Sequence, residues 1–144
     1  MKQSLMRTAP IFLGLAAIAA CGSDSTAPNT ALVGAYSASE FRTTGSSGQI
    51  DQLQAGSTLN VTLAAGGALS GHLHLAATAA NPVFDADMAG TWAQIGNTVR
   101  FTQVAVDTFV ENIVFNIEPN VNSWDLVGVG DFAGTHINIT LSQL

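Results

Sequence analysis

His72 and His74 are the residues of this chain best spaced for chemistry. They stand two apart, so on a β-strand both imidazoles project from one face. Asp85 and Asp87 repeat that spacing on the following apolar run, which reads as the next antiparallel strand. Two imidazoles with one or two carboxylates form a donor set for zinc or copper at a sheet surface. Leu73 and Leu75 alternate with the histidines and, if they face a core, place His72 and His74 outside. Exposed histidines opposite aspartates then have a simpler expectation, cross-strand pairs. His136 lies on the last apolar run, at a distance from the pair that spacing does not fix. There is no nucleophile elbow and no free cysteine beside a base. Asp85 and Asp87 as a carboxylate pair are accounted for by a solvated strand face. The chain is therefore expected not to be an enzyme and to need no cofactor.

A second chemistry is offered by aromatic rings. Tyr36, Phe84, Trp92, Phe101, Phe109, Phe115 and Trp124 are read as the inward members of successive apolar runs. Such a set either lines an apolar ligand pocket or fills the space it surrounds. The ligand-binding residues expected are Tyr36, Phe84, Trp92, Phe101, Phe115 and Trp124. Alanines and glycines on the same runs argue for room between the rings.

The elements that must position these groups are strands. From Leu32 onward the apolar pattern has period two, with no sustained helical stripe. Leu32–Ala38 opens the series, and a Gly/Ser-rich loop, Thr43 to Gly48, follows. Leu59, Val61 and Leu63 alternate cleanly, and Ala65-Gly66-Gly67 is a hairpin signal. Leu69–Leu75, Phe84–Trp92 and Thr98–Thr102 come next, separated by Asn81-Pro82 and by Gly96-Asn97. A run beginning at Asp107 carries Phe109, Ile113, Phe115 and Ile117, and Glu118-Pro119-Asn120 turns it into Trp124–Val127. Thr135–Leu141 repeats the pattern of Leu59–Leu63. About eight short strands joined by tight turns predict an all-β domain, either barrel or sandwich. One polar and one apolar face per strand favour a single antiparallel up-and-down barrel, which hides its edges, over a β-sandwich.

The chain has 144 residues, with four Lys and Arg against ten Asp and Glu. Lys2 and Arg7 precede a short apolar stretch, Ile11 to Ala20, that ends in small residues and then Cys21, the one cysteine. A basic start, a short apolar core and small residues at its end make a secretory signal peptide. The stretch is shorter than the roughly 20 residues of a spanning helix. The ending Ile18-Ala19-Ala20-Cys21 resembles the bacterial lipobox. That resemblance implies cleavage before Cys21, diacylation of its thiol and acylation of the new amino terminus. Two or more chains meet the requirement for stable anchoring. Gly22, where inner-membrane lipoproteins carry Asp, favours the outer membrane by the same resemblance. Residues 1–20 thus read as a leader, 21–30 as lipidated cysteine and flexible linker, and 31–144 as the folded domain. After cleavage Arg42 and Arg100 are the basic residues left, so a nucleic-acid partner has no electrostatic footprint. A single cysteine permits no internal disulfide, and packing alone must hold the fold.

Leu32 and Gly34-Ala35-Tyr36 look like the Leu-x-Gly-x-Trp opening of lipocalin-like domains, with Tyr36 in place of the Trp. Gly90-Thr91-Trp92, followed by Gln94 to Val99, is similar to the mid-barrel hairpin of small bacterial lipocalin-like lipoproteins. The resemblance implies a barrel whose first aromatic closes its base. It carries no counterpart of the family's Thr-Asp-Tyr motif and no basic residue on the last strand. The function expected is a lipoprotein of the bacterial envelope, facing the periplasm, whose barrel binds a small apolar or amphipathic ligand. The alternative is an envelope structural or interaction lipoprotein with a filled barrel and no ligand.

Overall fold

A computed structural model describes residues 29–79, 81–104 and 108–144. Among the described residues nine strands follow one another: β1 (Gly34–Gly45), β2 (Gly48–Asp51), β3 (Thr58–Leu63), β4 (Ala68–Leu75), β5 (Phe84–Ile95), β6 (Thr98–Gln103), β7 (Val114–Asn120), β8 (Ser123–Phe132) and β9 (Thr135–Gln143). From β3 to β9 every strand pairs antiparallel with its successor. β1 closes the ring, pairing with β3 through Gly34–Ser37 on one edge and with β9 on the other. The far half of the β3-side edge takes β2 instead, from Arg42↔Asp51 to Gly45↔Gly48. The result is a closed eight-stranded up-and-down barrel with β2 as a flap. Closure excludes the sandwich.

Most strands bury alternate residues. In β3, Leu59, Val61 and Leu63 are buried while Thr58, Asn60 and Thr62 are exposed. An apolar inside and a polar outside is the reverse of a barrel that spans a bilayer. Among the described residues no helix is long and apolar enough to cross one either.

β1 breaks the alternation. Tyr36 and Phe41 both point inward although five positions separate them. The cause is a register shift at Ser39, where Ala38 faces Leu141 and Glu40 already faces Thr140. One extra residue moves the inward set from even to odd positions, as a β-bulge must. A sequence reading that ends this strand at Ala38 and places a loop over 43–48 is corrected here: the strand runs on and turns into β2.

Two further expectations change. The apolar run begun at Asp107 is not one strand: Asp107 lies outside the described residues, Phe109–Asn112 is a 3-10 turn, and β7 starts at Val114. The turn placed at Glu118-Pro119-Asn120 sits later, since Pro119 is still paired with Trp124. The chain reverses at Val121-Asn122, with Asn122 at φ 67°. β7 has no β6 partner beyond Asn116, so Pro119 lies where one edge has no ladder to interrupt.

Small residues inside the wall leave no void at two telling positions. A Cβ on Gly128 would sit 2.4 Å from Ile113 Cγ2 and 2.7 Å from Phe115 Cδ1. A Cβ on Gly71 would sit 2.9 Å from Met88 Cε. The space these glycines open is already taken by neighbouring side chains. Phe101 and Phe115, centroids 5.0 Å apart, occupy the middle of the barrel.

Candidate functional site

The two ends of the barrel differ. The base is built where the chain enters. Thr30–Leu32 forms a single 3-10 turn, capped by Asn29, whose side chain accepts from the Ala31 N–H. It lays Leu32 over the base, fully buried. The Tyr36 hydroxyl donates to the Leu32 carbonyl at 2.9 Å. Burial first, and the Asp125 charge second, push the phenol up to about 12, so it remains a neutral donor. Trp92 Nε1 donates to the Ala64 carbonyl at 2.9 Å. Gln143 Nε2 donates to the carbonyls of Ala31 and Val33, and its Oε1 accepts from the Trp124 N–H. This end is shut.

The opposite end is open. Two adjoining clefts of about 440 and 420 Å³ share Gln52, Leu75, Thr78, Asn81, Phe109 and Phe132. Their walls come from the end of β1, the start of β2, the β4–β5 connection, the 3-10 turn and the β8–β9 turn. Such volumes fall within the range of small-molecule pockets. Phe109 forms the floor, its ring centroid 5.8 Å from Phe41 and 6.3 Å from Phe132. Phe132 is 47% exposed and Phe84 41%, so both rings stand at the rim. The rim turn places Ala133 and Gly134 at φ 49° and 79°, the two left-handed positions of a primed hairpin.

Polar groups at the mouth are neutral amides and hydroxyls. Gln52 donates from Nε2 to Thr43 Oγ1 at 2.7 Å and accepts from Ser57 Oγ at 2.9 Å. Gln103, at the inward end of β6, donates from Nε2 to Thr108 Oγ1 at 2.8 Å. Among the described residues, the Thr108 hydroxyl donates to Met88 Sδ, at 3.7 Å. Among these residues, Gln103 Oε1 is buried with no partner. An unsatisfied buried acceptor costs about 1–3 kcal/mol. Among the described residues, no ionisable side chain lines either cleft.

Of the aromatics expected to bind ligand, Phe84 alone reaches the mouth. Tyr36, Trp92, Phe101 and Phe115 are buried below it or at the base, and Trp124 is half-buried on β8. None of these five lines the clefts. Four of these rings belong to the packed core, and Trp124 packs against it. Gln52, Thr108 and Phe132 were not legible as site residues. Gln103 does continue the Val99, Phe101 alternation, which marks it as inward.

His72 and His74 lie on the outer face of β4, as the leucine alternation predicts. The register sets His72 opposite Asp87 and His74 opposite Asp85. Their Nδ1 atoms lie 2.8 and 2.6 Å from those carboxylates, and His72 Nε2 lies 3.4 Å from Asp85. Hydrogen bonding to Asp87, more than any other cause, raises the His72 pKa. The bond from His74 is the main cause lowering that of Asp85. His136 pairs separately with Asp131 at 2.8 Å. Among the described residues, no three His, Cys, Asp or Glu are grouped to hold a metal ion. The ladder's chemistry is cross-strand pairing. Cys21 lies outside the described residues.

No family model, curated protein or solved structure matches this chain.

Proposed function

We propose that this protein is a lipid-anchored binding module whose barrel mouth takes up a small apolar or amphipathic molecule. One observation carries the reading: an apolar cleft with aromatic rim and floor opens at one end of a barrel packed solid elsewhere. A concave, mostly apolar cleft with a few polar groups is the usual form of a small-molecule site. Because Phe101 and Phe115 block the interior, the ligand lies in the mouth and does not thread the barrel.

The anchor in this reading is Cys21, with the domain in the periplasm at the outer membrane. Asn29 donates its N–H to Gln94 Oε1, so the described chain starts at the base. Eight positions from Cys21 to Asn29 span at most about 28 Å. The lipid would therefore hold the base toward the bilayer and leave the mouth accessible. Incorporation of an alkyne-labelled fatty acid, lost in Cys21→Ser, tests the anchor.

Binding is tested by native mass spectrometry of the protein purified from cells without refolding, and by titration with the neutral probe N-phenyl-1-naphthylamine. A retained small-molecule mass or a saturable fluorescence rise, weakened by Phe132→Ala, supports the module. The packed interior favours one second reading, an envelope interaction protein that presents the same rim to another protein. No retained mass, no probe response and a co-purifying polypeptide would establish that instead.

A further inference from the structure

Resting on the binding reading above, we propose that the mouth selects an uncharged amphiphile with a hydroxyl or amide head, captured by Thr108 and Gln103. Two independent observations point the same way. The first is charge. Among the described residues neither cleft presents an Arg, Lys, His, Asp or Glu side chain. A carboxylate or phosphate head would lose its water with no cation among these described lining residues to replace it, and an ammonium head would find no anion among them. The protein's net charge of −6 also disfavours the approach of anions.

The second is the hydrogen-bond inventory beside the floor. Gln103 is 8% exposed, and its Oε1 has no donor. Thr108, which lines the larger cleft, accepts from Gln103 and directs its own proton to a thioether sulfur, a weak acceptor. The pair thus holds one unused acceptor and one poorly used donor. A hydroxyl or primary amide both donates and accepts. Arriving beside Thr108, it accepts that hydroxyl's proton in place of Met88 Sδ. A rotation of the Gln103 side chain then lets Oε1 take the ligand's proton. Gln52 offers no comparable capacity, because both ends of its amide are already bonded. An ether of the same length can accept the Thr108 proton but has none to give Oε1, and an alkane gains only the apolar contacts with Phe84, Phe109 and Phe132.

The test is calorimetric titration of the full chain carrying Cys21→Ser, without detergent, with octanol, octanoate, octyltrimethylammonium and methyl octyl ether. Octanol is expected to bind about tenfold more tightly than the ether, the value of one net hydrogen bond, and more tightly than either ion. Gln103→Met, which removes the amide but keeps the length, is expected to bring octanol down to the ether. Should that variant fail to fold, the octanol-to-ether ratio in the Cys21→Ser chain still decides. Octanoate, octyltrimethylammonium or the ether binding as tightly as octanol overturns this selectivity and leaves the binding module standing. Failure of all four to bind overturns both.

Discussion

The base and the mouth are made by the same eight strands, yet they treat polar groups and rings in opposite ways. At the base the Tyr36 hydroxyl, the Trp92 indole N–H and both ends of the Gln143 amide each have a partner. Beside the mouth Gln103 Oε1 has none among the described residues, and at the rim Phe84 and Phe132 stand partly in solvent. A satisfied end with buried rings contributes stability and no capacity. An unsatisfied end with exposed rings gives up some stability and keeps the capacity to bind. In the proposed reading the base holds the fold and the mouth binds the ligand.

Substitutions can break that division. Trp92→Ala at the base removes a buried ring and its hydrogen bond, and should lower stability by about 3–5 kcal/mol in denaturant titration. A loss below about 1 kcal/mol would show that the base does not hold the fold. Phe132→Ala at the rim should weaken binding of N-phenyl-1-naphthylamine about tenfold, since a partly buried ring is worth near 1.4 kcal/mol. Its unfolding midpoint should stay close to the parent's. The reverse pattern, a large loss of stability with unchanged affinity, would make the rim structural.

Ala133→Gly sharpens the comparison on the mouth side. Ala133 holds φ 49°, a region where a Cβ costs about 1 kcal/mol. The glycine variant should be more stable by less than that amount, since its greater freedom in the unfolded chain offsets part of the gain. A clear loss would place that turn under a constraint other than its backbone.

The outer ladder of His72, His74, Asp85 and Asp87 belongs to neither end and should have the smallest effect. His72 holds its proton more tightly when folded, so its contribution is complete below the ordinary 6.5 and fades as pH rises through the raised value. Asp85 is the converse: its contribution is present above the ordinary 3.8 and fades as pH falls through the lowered value. The ladder therefore stabilises most in the mildly acidic window between them. Denaturation midpoints of the parent and His72→Asn should differ more at pH 5.5 than at pH 8.5. Equal differences at both would remove the ladder from the account. Salt should shrink the difference, as for any exposed pair.

Where alternation is unbroken, the sequence was enough. Leu59, Val61 and Leu63 in β3, and Ile137, Ile139 and Leu141 in β9, show their inward face directly, and the barrel follows from such runs. It was insufficient where geometry interrupts period two. The bulge at Ser39 hid the second half of β1 and with it β2. The 3-10 turn at Phe109–Asn112 looked like strand because its apolar residues are buried as strand residues are. The site suffered most, because it is assembled from strand ends and connections, whose spacing carries no period. Aromatic rings were legible as inward, but inward at the base and inward at the mouth look identical in a sequence. Phe132 follows a Gly-containing stretch with weak alternation, and only the turn at Ala133-Gly134 brings it over Phe109.

The most direct measurement is residue-resolved NMR of the full chain carrying Cys21→Ser, titrated with N-phenyl-1-naphthylamine. The division of base from mouth predicts shifts concentrated at Leu75, Phe84, Thr108, Phe109 and Phe132, with Tyr36, Trp92 and Trp124 unmoved. Shifts confined to the base or the outer face, or no shifts at saturating probe, would contradict it.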